Sequence, residues 1–147
     1  MNNEADKYDD PELEAEWLQK QKEQIEAYLI KEGIEHGAIA EKPDWFVAPY
    51  VSIWRIAGYN KPKTTSWWAI SGDLPTDYCL SSGINDARSA MYHFAKLWYE
   101  VSECMIQGKP HPDITIGDEG DWPELGDLLR RRSMILSDWV KDDELWN

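Results

Sequence analysis

Three stretches of the chain carry apolar residues at the three- and four-residue spacing of an amphipathic helix. The first begins after Asp10 and Pro11, which suit an N-cap and a first helical turn, and it stops before Gly33. Gly108 follows the second stretch, and the third starts near Pro123. The spacing predicts helices over about 11–32, 85–107 and 123–141.

Between the first two predicted helices, the chain is rich in the β-branched and aromatic residues that favour strands. The runs 50–57 and 66–71, separated by turn residues, predict an antiparallel hairpin over about 50–71, and residues 45–47 offer a third strand. A two-stranded hairpin is marginally stable alone, so it must pack on the helices. The predicted fold is α+β, with a small antiparallel sheet of two or three strands packed against three helices.

The size of the chain predicts a single domain. Its 147 residues, of which 42% are hydrophobic, suit one core. We expect residues 1–9 and 142–147 to fray. At the second end, acidic residues lie at the negative pole of the third helix, unless Leu145 or Trp146 docks back.

Net charge restricts the class of partner. With 15 basic and 28 acidic residues, the formal charge is −13, which opposes binding to the phosphate backbone of a nucleic acid. The N-terminal residues have neither a basic leader nor an apolar run, and no segment has membrane-spanning length, so we expect a cytoplasmic protein. Two cysteines, Cys79 and Cys104, are too few for a secreted disulfide framework.

The densest polar cluster in the central part of the chain is the segment 71–78, which follows the predicted hairpin. Asp73 and Asp77, beside Thr76 and Tyr78, have the residue types of an acid and base pair. The alternative is structural, because Asp73 also suits an N-cap and the proline of this segment suits a turn. The segment is therefore a candidate ligand site and also a candidate turn.

Arg55 lies in an otherwise apolar strand, where an unpaired inward charge would be unfavourable. Alternation leaves its direction open, because both faces of the strand carry apolar residues. Arg55 therefore either points outward or has an acidic partner, and pairing with Asp73 or Asp77 would create a site for a small molecule or for catalysis.

Trp67 and Trp68 are adjacent in a predicted strand, so their side chains must face opposite sides of the sheet. The outward one, beside Tyr59 or Trp54, offers a platform for a sugar ring or a partner protein, although a covering helix would explain it equally. The histidines and cysteines have no metal-ligand spacing, and no phosphate loop or nucleophile motif is present. We therefore expect no metal or cofactor. Catalysis stays an open question, although the absence of these motifs favours a protein that is not an enzyme.

Three phrases of the sequence resemble those of an uncharacterised bacterial family of small acidic proteins, domain of unknown function 4826. The phrases are Val47-Ala48-Pro49-Tyr50-Val51-Ser52-Ile53-Trp54, the run from Trp67 to Tyr78, and Trp122-Pro123-Glu124-Leu125. The resemblance implies a bacterial cytoplasmic protein and transfers no reaction, ligand or catalytic residue.

The sequence as a whole favours an interaction module of the immunity or inhibitor kind that binds a basic protein. Residues 45–110 hold 5 acidic and 6 basic residues, so this aromatic, nearly neutral part is the expected contact surface. The alternatives are a carbohydrate or small-molecule binder and a small enzyme that uses Arg55 with the segment 71–78. Oligomeric state stays open, with a homodimer as one alternative.

Overall fold

The computed structural model describes residues 4–109 and 122–146. The chain divides into two compact units, Met1–Ala87 and Arg88–Asn147, and each is described by itself. The first unit contains a sheet and one long helix, and the second contains the other two long helices. The structure is therefore α+β, as predicted.

The first unit begins with a short 3-10 helix, Glu4–Asp9, followed by helix α1, Pro11–Lys31. The Asp10 carboxylate caps α1 by accepting a hydrogen bond from the Glu12 backbone N–H at 2.9 Å. At the other end Gly33 has a φ of +72°, which favours glycine, so the helix stops where the sequence predicted. Buried side chains follow one stripe of α1: Trp17, Gln21, Ile25 and Leu29.

Among the described residues, five antiparallel strands form the sheet, which corrects the expected two or three. They are β1 His36–Ile39, β2 Trp45–Val47, β3 Val51–Gly58, β4 Lys61–Gly72 and β5 Leu74–Leu80. The order is β1-β3-β4-β5, and β2 also pairs with β3. The predicted hairpin is β3–β4, and the third strand offered at 45–47 is β2. The two strands missed by the sequence prediction are β1 and β5.

Strand β5 follows β4 through a very tight connection. Gly72 has a φ of +146°, and a Cβ there would lie 2.3 Å from the Tyr50 carbonyl oxygen. Only glycine fits so close to another backbone in this conformation. The chain therefore reverses at Asp73 and returns along β4 as a strand, whereas the sequence offered the segment 71–78 as a turn or a ligand site.

Both faces of the β3–β4 hairpin are buried. On one face, Trp54, Ile56 and Ala69 form a core cluster with Ile25 and Leu29 of α1. Successive side chains along each strand point to opposite faces of the sheet. The other face of the hairpin therefore carries Val51, Ile53, Trp68 and Ile70, which are also buried. Alternation along β3 therefore shows no contrast between a core face and a solvent face.

The second unit contains α2, Ala87–Ile106, and α3, Trp122–Lys141, which confirm the two remaining predicted helices. A Cβ at Gly126 would lie 3.0 Å from the Met105 Cβ, so α3 approaches α2 closely there. A second 3-10 helix, Asp143–Trp146, follows α3. The Trp146 indole N–H donates to the Trp139 carbonyl at 2.9 Å, which is the docking contact named as the alternative to fraying.

Candidate functional site

An open groove of about 570 Å³ lies at the end of the sheet where β3 and β5 finish. Four separate segments meet there: the residue before β1, the end of β3, the early part of β4 and the end of β5. We call it the aromatic groove and define it by four of its lining residues: Glu35, Tyr59, Trp67 and Leu80. The antiparallel order of the sheet brings these segments together although they are distant in the chain.

The apolar wall of the aromatic groove is well exposed. Tyr59 is 61% exposed and Leu80 is 67% exposed, and both line the same groove. Trp67 lies opposite Leu80 in the strand register, and it packs partly against the core cluster while remaining partly accessible. The wall thus combines an anchored indole with two side chains that the fold leaves largely uncovered.

The polar part of the aromatic groove consists of hydroxyls and one carboxylate among its described lining residues. The Ser81 hydroxyl donates to the Thr65 carbonyl at 2.8 Å, and the Ser81 backbone N–H donates to the Ser66 carbonyl at 3.0 Å. These bonds fix the end of β5 against β4. Glu35 is exposed and supplies the negative charge of this lining.

Arg55 is held inside the first unit by several groups. Its Nε donates to Asp44 Oδ2 at 2.5 Å, and its Nη2 donates to the Asn85 carbonyl at 3.1 Å. The guanidinium also lies over the Trp68 ring, 4.5 Å from the centroid. Arg55 therefore connects β3 to the segments that precede β2 and α2, which is the geometry of a structural brace.

The two adjacent tryptophans have different surroundings, as strand alternation requires. Trp68 is fully buried beneath Arg55, and its indole N–H donates to the Ile84 carbonyl at 3.0 Å. Trp67 faces the other side of β4 and lines the aromatic groove. Of the two, Trp67 is the accessible one.

The other candidate residues lie at or along the edge strand β5. Asp73 is exposed at the bend, and its backbone N–H donates to the Tyr50 carbonyl at 3.0 Å. Thr76 accepts a hydrogen bond from Gln24 of α1 at 2.6 Å. The Asp77 carboxylate accepts from the Tyr78 backbone N–H at 2.8 Å. Since β4 lies between β3 and β5, the structure separates these residues from Arg55 by a strand.

Burial controls the chemistry of the ionisable groups around β5. Burial, with the Asp77 and Glu32 carboxylates, raises the pKa of Tyr28, whose ring meets Tyr78 edge-on at 6.0 Å. Burial also raises the pKa of Tyr78. Burial and Asp77 raise the pKa of the Cys79 thiol to about 12. At neutral pH these groups hold their protons, which does not suit Cys79 as a nucleophile.

A second concavity, of about 370 Å³, lies in the second unit between α2 and α3. Tyr92, Tyr99 and Met134 line it, together with the oppositely charged Lys96 and Glu100. Within the described ranges, no group of three His, Cys, Asp or Glu side chains could hold a metal ion. In the same ranges, no helix is both long and apolar enough to cross a membrane.

Fold and site together define an α+β protein with an antiparallel sheet and an aromatic surface groove. The family model described as Domain of unknown function (DUF4826) matches residues 11–146, and the chain belongs to that family. No curated protein and no solved structure matches it. The family assignment confirms the resemblance seen in the sequence, and it carries no reaction or ligand.

Sequence reasoning identified Trp67 and Tyr59 but not the other side of the aromatic groove. Glu35 follows α1 in a short connection, and Leu80 ends a strand that the sequence did not predict. Neither residue has a local signal, because each becomes part of the groove only through strand pairing. The sequence feature that pointed to the groove was the pair of adjacent tryptophans, because neighbouring side chains in a strand face opposite sides of the sheet.

Proposed function

We propose that the protein is a non-enzymatic interaction module of a bacterial cytoplasm, of the immunity or inhibitor kind, which binds a basic segment of a partner protein in the aromatic groove. The observation that carries the proposal is the exposure of Tyr59 and Leu80 beside the carboxylate of Glu35. Aromatic residues are enriched at protein interfaces, where they act as anchors.

Charge supports the choice of a basic occupant. The chain has a formal charge of −13, so its long-range field attracts cations and repels acidic partners. Glu35 gives the described lining of the groove the same sign. In the second concavity, by contrast, Lys96 and Glu100 offset each other. The net charge of the chain and the charge of the described groove lining therefore have the same sign.

Site-specific photo-crosslinking tests this proposal. A benzoylphenylalanine replaces Tyr59 or Leu80 in the groove, and Ile30 or Tyr92 in matched controls, which are 66% and 57% exposed. After crosslinking in a bacterial lysate, we expect one basic protein to be captured from the groove positions only. The purified partner should then bind the wild type and the control variants Ile30→Ser and Tyr92→Ser, but bind Tyr59→Ser and Leu80→Ser at least about tenfold more weakly.

Two results would contradict the proposal. One is equal capture from the groove and control positions. The other is unchanged affinity of the purified partner for Tyr59→Ser and Leu80→Ser, because these residues supply the exposed apolar wall. Both substitutions change largely exposed side chains, so a loss of binding would not reflect loss of the fold.

Carbohydrate binding is the second candidate function, and the hydroxyl-rich lining favours it. Thr65, Ser66, Ser81 and Ser82 line the same groove as Trp67, and sugars bind to such combinations of aromatic faces and polar groups. A shift of the Trp67 indole signal on titration with neutral oligosaccharides, but not with basic peptides, would favour this function. The small-enzyme alternative at 71–78 has less support, because Arg55 is bound elsewhere.

A further inference from the structure

The described structure repeatedly pairs an aromatic ring with an arginine that also binds a carboxylate. Three arginines lie over aromatic rings, at 4.5 to 6.0 Å from the ring centroid. Each of them also forms an ion pair with an acidic side chain. The three sets are Arg55 with Trp68 and Asp44, Arg88 with Trp146 and Asp143, and Arg130 with Tyr99 and Glu103.

The aromatic groove contains two of these three components. Tyr59 and Trp67 present aromatic rings, and Glu35 presents a carboxylate, while the described lining includes no arginine or lysine. The comparison is closest for the adjacent tryptophans on β4. On one face of the strand, Trp68 carries Arg55 and Asp44. On the other face, the ring of Trp67 shares its groove with Glu35.

We infer that the group which the basic partner inserts into the aromatic groove is an arginine side chain. This inference rests on the proposed function and names the chemistry of the occupant. A guanidinium is planar and weakly hydrated, so it stacks on an aromatic face and still donates two hydrogen bonds to a carboxylate. A lysine ammonium is strongly hydrated and lacks the planar fork, so it fits this combination less well.

Titration with defined peptides tests the inference. The probes are three capped glycine–serine peptides that differ only in the central residue, which is arginine, lysine or citrulline. Citrulline keeps the planar shape of arginine without its charge. The readout is the indole N–H resonance of Trp67, assigned by its disappearance in Trp67→Phe. We expect the arginine peptide to bind about tenfold more tightly than the citrulline peptide, with lysine between them.

Two variants separate the carboxylate from the rings. In Glu35→Gln the preference for arginine over citrulline should fall several-fold, whereas Glu41→Gln, an exposed control outside the groove lining, should retain it. Tyr59→Ser should weaken binding of the arginine peptide and leave the fold intact, because the side chain is largely exposed. An unchanged preference in Glu35→Gln would overturn the inference.

The remaining outcomes distinguish the inference from the proposed function. Equal affinity for arginine and citrulline peptides at Trp67 would overturn the arginine inference, although binding of a protein segment in the groove would stand. No change of the Trp67 signal with any peptide would also overturn the inference. The proposed function would then be decided by the crosslinking result alone, because a partner can use the groove without inserting an arginine.

Discussion

Ser52→Ala gives the sharpest test of the structure of the sheet, because Ser52 is the centre of a buried polar network. The Ser52 hydroxyl accepts a hydrogen bond from the Trp54 indole N–H at 2.8 Å and donates to the Ser71 carbonyl at 3.1 Å. It also contacts the Ser71 hydroxyl at 2.9 Å, where the donor can be Ser71. All three residues are fully buried, so water cannot replace any lost partner.

The expected loss follows from what each substitution leaves unpaired. Ser52→Ala leaves the indole N–H of Trp54 buried without its acceptor, which costs about 1–3 kcal/mol, in addition to the bond to the Ser71 carbonyl. We expect a total of about 2–3 kcal/mol. Ser71→Ala retains both the Trp54–Ser52 bond and the carbonyl of residue 71, so its loss should be near 1 kcal/mol.

A double-mutant cycle with Trp54→Phe isolates the free energy that comes from the hydrogen bond between the Trp54 indole and Ser52. Once Trp54 is phenylalanine, no indole N–H needs an acceptor, so Ser52→Ala should cost about 1 kcal/mol or less in that background. Urea unfolding followed by far-ultraviolet circular dichroism measures the free energy of unfolding of all four proteins. An equal cost of Ser52→Ala in both backgrounds would refute the assignment of the Trp54–Ser52 bond, provided that the m values agree.

Three further predictions concern Arg55, the partly buried tyrosines Tyr28 and Tyr78, and the tight connection at Gly72. Arg55→Met should lower the free energy of unfolding by about 1–2 kcal/mol and leave partner affinity unchanged, since the Arg55 side chain is 40% exposed and its ion pair is partly screened. Lost affinity at unchanged stability would make Arg55 a binding residue instead. Burial raises the pKa of Tyr28 and Tyr78 above the ordinary 10.0 in the folded state, so their contribution to stability is complete below pH 10.0 and is lost as the pH rises further. The free energy of unfolding, measured with urea between about pH 8 and about pH 11, should therefore fall, and the fall should be shallower in the double variant Tyr28→Phe, Tyr78→Phe. An equal fall in both proteins would contradict the partial burial of the two phenols. Gly72→Ala should lower the melting temperature by the equivalent of about 2–3 kcal/mol, because its Cβ would meet the Tyr50 carbonyl oxygen, and an unchanged melting temperature would show that this connection can relax.

The helices could be predicted because their signals are local. Asp10 and Gly33 fix the two ends of α1 through a side-chain cap and a left-handed residue, and both act within a few residues of the chain. The apolar spacing in α2 and α3 is equally local. Such signals do not depend on what the helix packs against, so the residues of each helix and its ends are enough to predict it.

Strand β5 could not be predicted from its own residues. It contains Pro75 and Asp77, which disfavour strands, and its polar cluster suggested a turn. Within the described ranges, β5 is an edge strand that pairs with β4 alone, and at an edge the proline is tolerated. Its strand conformation depends on the register with β4, which is long-range information.

The direction of Arg55 was open for a different reason. Alternation identifies a core face only when the opposite face is polar, but Val51, Ser52, Ile53 and Trp54 are all fully buried. The same ambiguity affected Trp67 and Trp68, whose opposite orientation was predictable while the identity of the accessible one was not. The acidic partner of Arg55, Asp44, lies before β2, outside the segment where the sequence suggested a partner.

Net charge and groove chemistry favour the same partner through different physics. In the proposed encounter with a basic protein, the charge of −13 acts before contact, over a screening length of about 10 Å at 0.1 M salt, and therefore governs the association rate. In the proposed complex, Tyr59, Trp67 and Glu35 act only at contact and therefore govern the lifetime of the complex. Added salt should accordingly slow association, whereas Tyr59→Ser should mainly accelerate dissociation. If both perturbations changed only the association rate, the groove would contribute to attraction and not to recognition.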